Sequence, residues 1–252
     1  MNNRQMNFDF IVDVKYSIGN FIVFNENIDA FCYLNKEFDD STPENPIVFL
    51  SGEKKCGKTH LGQIWKQKHN AKNLNIYEYY KADFDDFIVR LNDLIDSFDY
   101  YLCDDFPVDM DEDKFLFLLN TIITNNSNVL IISDCDFRNK IIKLKDLKSR
   151  IDASTHLKID ALSKDIKPML INKLFADRQV FIDGSVLKYL NENLPTNYGS
   201  IFNFVENTFK NLNSGKRVLN VGFVKEQVSV SLLSIIILLY ITTFIQIFIQ
   251  HL

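Results

Sequence analysis

Short apolar runs punctuate the chain, and each ends at a polar turn. Ile47-Val48-Phe49-Leu50, Tyr100-Tyr101-Leu102-Cys103 and Asn128-Val129-Leu130-Ile131-Ile132 show little alternation, as expected of strands covered on both faces. Asn75-Ile76-Tyr77-Glu78-Tyr79 reads as another strand, and a short one lies near His156 to Ile159. Between these runs apolar positions return at helical spacing over Asn27 to Leu34, Leu61 to His69, Phe84 to Ile95 and Asp113 to Thr124. Strands alternating with helices predict an α/β fold: a parallel five-stranded sheet with crossover helices on both faces.

From Ser163 the pattern is helical only. The spacing predicts helices over Ser163 to Ala176, Gly184 to Leu194 and Tyr198 to Leu212, then a short element over Lys216 to Val228. The chain is thus expected to divide into a lead-in over 1–12, an α/β domain over 13–161 and a small all-α domain over 162–227. The remaining stretch, 228–252, has no Asp, Glu, Lys or Arg. It is long enough to span a bilayer, and Lys216, Arg217 and Lys225 precede it, which suits a cytoplasmic flank. It reads as read-through of an A+T-rich gene, as a membrane anchor or interfacial helix, or as a partner-binding helix.

Hydrophobic residues make up 46% of the chain, enough for a sizeable core, and the net charge is −5. An acidic balance argues against a protein that lives on the nucleic-acid backbone. Cys32, Cys56, Cys103 and Cys135 form no CxxC pair, so zinc and redox motifs are not expected. No signal peptide is visible at the N-terminus, and a cytoplasmic location is expected.

The sharpest motif is Gly52-Glu53-Lys54-Lys55-Cys56-Gly57-Lys58-Thr59, a G-x-x-x-x-G-K-T match lying between an apolar strand and a helix. Gly52 and Gly57 allow backbone conformations that turn N–H groups toward phosphate. The helix N-terminus near Lys58 adds positive potential. Lys58 can reach the β- and γ-phosphates, and the Thr59 hydroxyl suits Mg²⁺. The Asp104-Asp105 pair closing its strand can hold Mg²⁺ through Asp104 and orient or deprotonate a water through Asp105; it also reads as a solvated turn. Ser133-Asp134 offers a polar side chain to the γ-phosphate or the attacking water, or else caps a turn. Arg150 reads as a surface arginine or as a guanidinium presented to a neighbouring subunit's nucleotide.

The order of these motifs resembles the AAA+ core of the replication initiator DnaA. Leu147-Lys148-Ser149-Arg150-Ile151 resembles its arginine-finger segment. Phe21-Ile22-Val23 with Asn25 and Asn27 resembles its Phe-Val-Val-Gly-x-x-Asn segment beside the adenine, with Phe24 in place of Gly. The chain shows neither a basic helix-turn-helix domain nor a helicase-loading domain, a pattern similar to the DnaA regulatory inactivator (Hda) family. Gln5-Met6-Asn7-Phe8-Asp9-Phe10 resembles that family's sliding-clamp motif. Lys173-Leu174-Phe175-Ala176-Asp177-Arg178-Gln179 and Phe223-Val224-Lys225-Glu226 resemble two further segments of it. The resemblance covers roughly residues 5 to 228.

The resemblance implies an AAA+ domain with a helical lid, binding ADP or ATP with Mg²⁺. Gly52, Gly57, Lys58, Thr59, His60, Ile22 and Val23 would hold the nucleotide, and Thr59 and Asp104 the metal. Asp105, Asp134 and Arg150 would serve hydrolysis, with Arg150 entering the site of a partner. Gln5, Met6, Phe8 and Phe10 would dock in apolar and polar pockets of the clamp. The partners implied are the initiator DnaA and the DNA polymerase sliding clamp, without sequence-specific DNA contact; self-association and membrane attachment through 228–252 stay open. The chain would be an accessory to hydrolysis on its partner and an inhibitor of replication. One departure is Asn197-Tyr198-Gly199-Ser200, which has no basic residue where the initiator has an arginine; a resident ADP is expected. The alternative is a helicase-loader-like ATPase acting on single-stranded DNA.

Overall fold

The apolar runs that read as strands do pair with one another. In the computed structural model, which describes residues 16–36, 45–78, 80–95, 98–215 and 219–230 of the 252, β1 (Ile47–Gly52) lies between β4 (Asn128–Ser133) and β5 (Thr155–Ile159). β3 (Tyr100–Cys103) flanks β4, and β2 (Lys72–Asn73) forms the far edge. All pairs are parallel and the order is β2-β3-β4-β1-β5. The second strand differs from the sequence expectation. Pairing occurs at Lys72–Asn73, and Ile76–Glu78 turns into a 3-10 helix. The Leu74 N–H still reaches the Leu102 carbonyl at 2.8 Å, after which Ile76 N–H bonds back to the Leu74 carbonyl. Ile76 is buried through this turn, not through a strand face.

Side chains alternate across the sheet, which gives each face its own core. Ile47, Phe49, Tyr101, Cys103, Val129 and Ile131 meet α3 (Phe84–Leu94), α4 (Glu112–Thr124) and α5 (Lys145–Ala153). Val48, Leu50, Leu102, Leu130 and Ile132 meet α1 (Ile28–Asn35) and α2 (Lys58–His69). The second core runs on into the helical region, through Ile171 and Phe175 of α6 (Lys167–Ala176), Val186 and Leu190 of α7 (Gly184–Asn193) and Ile201 and Val205 of α8 (Tyr198–Gly215). A last helix, α9, covers 221–230. The expected helix from Ser163 starts only at Lys167, where Pro168 occupies the first turn, the position a proline tolerates best. Among the described residues no helix is long and apolar enough to cross a membrane.

Caps fix the helix starts. Asp83, Asp111 and Asp183 each accept a backbone N–H from the first turn of α3, α4 and α7. The residues expected to bind the clamp, Gln5, Met6, Phe8 and Phe10, and the tail from 231 lie outside the described residues.

Candidate functional site

The C-terminal ends of β1, β3 and β4 open on one broad cleft of about 2800 Å³ between the sheet and the helical region. Ligand crevices form at this end of open parallel sheets. The P-loop leaves β1 and enters α2 through Gly57, whose φ of 106° belongs to the left-handed region that favours glycine. A side chain there would also stand 3.3 Å from the Phe21 ring.

Lys58 is only 8% exposed. Its Nζ donates to the Gly52 and Glu53 carbonyls, 2.8 Å each, and to Asp134 Oδ1 at 3.0 Å. All three ammonium hydrogens therefore have acceptors. The other oxygen of Asp134 faces Lys54 Nζ at 3.7 Å. The carboxylate at the tip of β4 thus spans two P-loop lysines, and Lys54 was not singled out by the sequence.

Thr59 hydrogen-bonds Asp104 at the tip of β3. Burial pushes the Asp104 carboxyl above its usual range, with the Thr59 and Asp105 contacts opposing. A hydroxyl beside a desolvated carboxylate is a hard-oxygen donor pair, which fits Mg²⁺ once phosphate oxygens join it. Among the described residues no cluster of three or more His, Cys, Asp or Glu could hold a metal by itself. Asp105 donates its N–H to Asp104 Oδ1 at 3.0 Å and has a left-handed φ of 52°, and its exposed side chain lines the cleft.

The opposite wall comes from the N-terminal segment. Asn27 is 2% exposed and holds this segment in shape: Oδ1 accepts the Phe24 N–H and Nδ2 donates to the Ile22 carbonyl, 3.0 Å each. Phe21 stacks on Phe31 at 5.7 Å and meets His60 edge-on at 5.3 Å. His60 Nε2 lies 3.2 Å from the Ser17 carbonyl, and burial lowers its pKa. Ile22 and His60 line the cleft; Val23 does not.

Arg150 lies elsewhere. It is exposed on α5, does not line the cleft, and makes no side-chain hydrogen bond or ion pair among the described residues. Its helix is nonetheless held to the sheet. His156 of β5 donates from Nε2 to the Ile151 carbonyl at 2.7 Å, while Nδ1 faces Asp136 at 3.7 Å and the ring stacks on Phe49 at 5.0 Å.

The helical region supplies residues that the sequence did not mark as site residues. Lys173, Arg178, Tyr198 and Phe202 line the cleft. Burial lowers the Arg178 pKa, and its guanidinium donates to the Leu174 carbonyl and to Glu206. The lack of a basic residue over Asn197–Ser200 does not leave this side of the cleft without cations.

The fold recurs in known proteins. No family model matches the chain. It is 27% identical over 201 residues to the chromosomal replication initiator protein DnaA of Helicobacter acinonychis, covering 73% of this chain and 44% of that protein. Domain III of the Thermotoga maritima replication initiation protein DnaA superposes with a TM-score of 0.69 at 15% identity, over 85% of this chain and 96% of that one. The chain is built on the AAA+ fold of DnaA-related proteins. Replication initiator DnaA bound to AMPPCP and single-stranded DNA superposes with a TM-score of 0.61 at 20% identity, over 82% of this chain and 70% of that one. The chain spans less than half the length of the curated DnaA relative it matches. Within this AAA+ fold, Gly57, Lys58, Thr59, His60, Ile22, Asp104, Asp105 and Asp134 share one cleft; Gly52 does not line it but ends β1 and accepts from Lys58, and Arg150 stands apart from the cleft.

Proposed function

We propose that the chain is a DnaA-like AAA+ regulator of replication initiation that binds ADP or ATP and promotes hydrolysis of ATP held by an initiator. The P-loop amides and Lys58 would hold the phosphates. Thr59 and Asp104 would hold Mg²⁺, which when bound neutralises phosphate charge. Phe21 and Ile22 would flank the base.

The observation that carries the reading is the place of Arg150. It projects from a helix pinned to the sheet, outside its own cleft. A guanidinium so placed is available to a second protein's nucleotide, where it would stabilise charge on the transferring phosphoryl group. Gln5 to Phe10 would tether the chain to a DNA-loaded sliding clamp.

The test is hydrolysis of initiator-bound ATP with the loaded clamp present. Arg150→Ala should retain capture on the clamp and lose stimulation by about a thousandfold or more. Removing residues 1–12 should lose clamp capture. Stimulation that persists in Arg150→Ala would refute the role of that residue.

A second reading, an ATPase acting on single-stranded DNA, draws on one wing of the cleft. Tyr77 is 64% exposed, its ring lies 5.3 Å from Tyr80, and Lys81 stands over the Tyr80 ring. Tyr80 is itself buried, but the exposed Tyr77 ring near a cation could stack on an unpaired base. Strong stimulation of the chain's own ATPase by single-stranded DNA would favour it.

A further inference from the structure

Lys55, in the middle of the P-loop, has a φ of 67°. A lysine in the left-handed region is strained, because its Cβ crowds the backbone where a glycine would not. Such strain persists only when surrounding contacts hold it. The Lys55 side chain has a contact in the helical lid. Lys55 Nζ sits 4.7 Å from the centroid of the Phe202 ring on α8. The guanidinium carbon of Arg178 lies 5.6 Å from the centroid of the same ring. Arg178 follows the end of α6 and is itself tied to Glu206, one turn beyond Phe202 on α8.

Two neighbours on α8 also face the loop. Tyr198 is 1% exposed and lies within electrostatic range of the Cys56 and Glu53 side chains. A Cβ on Gly199 would lie 3.9 Å from the Lys54 carbonyl. One face of the first turns of α8 therefore rests on the P-loop, and Lys55 is its charged contact.

We propose that the Lys55 side chain is the lever by which phosphate bound in the P-loop sets the position of the helical lid. The inference rests on the nucleotide-binding reading. Phosphate bound to the loop amides fixes the backbone at Lys55, and that backbone aims the ammonium at Phe202. A cation over an aromatic face is attracted electrostatically to the ring. Ordering of the loop is thereby passed to α8, and through the Arg178–Glu206 pair to α6. Lys55 is a positioning residue in this scheme: its side chain acts on the lid, not on the ligand.

The test is amide hydrogen exchange across α8 in the full chain, with and without saturating Mg–ADP, in wild type, Lys55→Gly and Phe202→Leu. Glycine accepts the loop's backbone angles and removes only the lever. Leucine keeps apolar bulk and removes the π-face. Wild type should show about tenfold slower exchange in the first two turns of α8 when ADP is bound. Both variants should lose most of that protection while bound ADP still slows exchange in the P-loop. Protection of α8 at the wild-type level in Lys55→Gly, with ADP bound, would overturn the lever alone. A wild-type chain that fails to bind Mg–ADP would overturn the nucleotide reading and the lever together.

Discussion

Lys58 Nζ and Asp134 Oδ1 lie 3.0 Å apart, with Lys54 on the carboxylate's other oxygen. The P-loop lysine is therefore already neutralised by the tip of β4. A γ-phosphate approaching Lys58 brings negative charge toward that carboxylate, whereas a diphosphate brings less.

Asp134→Asn should raise the ratio of ATP to ADP affinity about fivefold, or ~1 kcal/mol, since the amide still accepts from Lys58 and the repulsion is gone. Lys58→Ala should weaken both nucleotides by roughly a hundredfold or more. Calorimetric titration with Mg–ADP and Mg–ATP measures both. An unchanged ratio in Asp134→Asn would rule out charge repulsion as the discriminator.

Asn27 makes both of its hydrogen bonds to the backbone of the 21–24 segment. Asn27→Ala should cost about 2 kcal/mol in urea unfolding, because buried backbone groups lose their partners. ADP affinity should fall with it, since Phe21 and Ile22 form the cleft wall. Wild-type stability in this variant would mean the segment holds itself.

The approach of α2 to the sheet is set by Gly62. A Cβ there would stand 2.4 Å from Ile132 Cδ1. Gly62→Ala should destabilise by about 1–3 kcal/mol. Ile132→Val deletes the offending methyl, so the double variant should recover part of the loss. Strict additivity of the two changes would contradict the contact.

Acid sensitivity should centre on Asp136. The Arg138 guanidinium holds its carboxyl below the usual carboxylate range, despite some burial. The folded value is depressed, so the stabilisation is complete above the ordinary carboxylate pKa and is lost as pH falls through the lower folded value. Melting of wild type should therefore worsen steeply below about pH 4. Asp136→Asn should cost ~1 kcal/mol at pH 7 and flatten the acid limb. An unaltered limb would place the acid sensitivity elsewhere.

Much of the base was legible because local pattern and tertiary role coincide. Ile47 to Leu50 and Val129 to Ile132 are apolar on both faces, and both become central strands with both faces covered. The P-loop is a contiguous motif whose mechanism fixes its context. β2 was not legible: Lys72 and Asn73 are polar, the strand is two residues long, and its place comes from backbone pairing with Tyr101 and Leu102. The stretch from Asn75 mimicked a strand period, but Ile76–Glu78 forms a 3-10 turn instead. The strand order was unreadable for the same reason, since pairing is a relation between distant segments. Lys54, Lys55, Arg178 and Phe202 look like ordinary surface or core residues until the fold carries the lid across the P-loop. Their meaning depends on which residues become neighbours in space, which spacing along the chain does not encode.

Phe21 lies beside Gly57 of the P-loop and packs on Phe31 and His60, while His60 is bonded to the backbone at Ser17. A nucleotide held as proposed would sit against this ring, so the 16–24 segment would bear on its departure as well as the phosphate contacts. Residence time would then be set partly by that segment, and loosening it would shorten occupancy even with every phosphate contact intact.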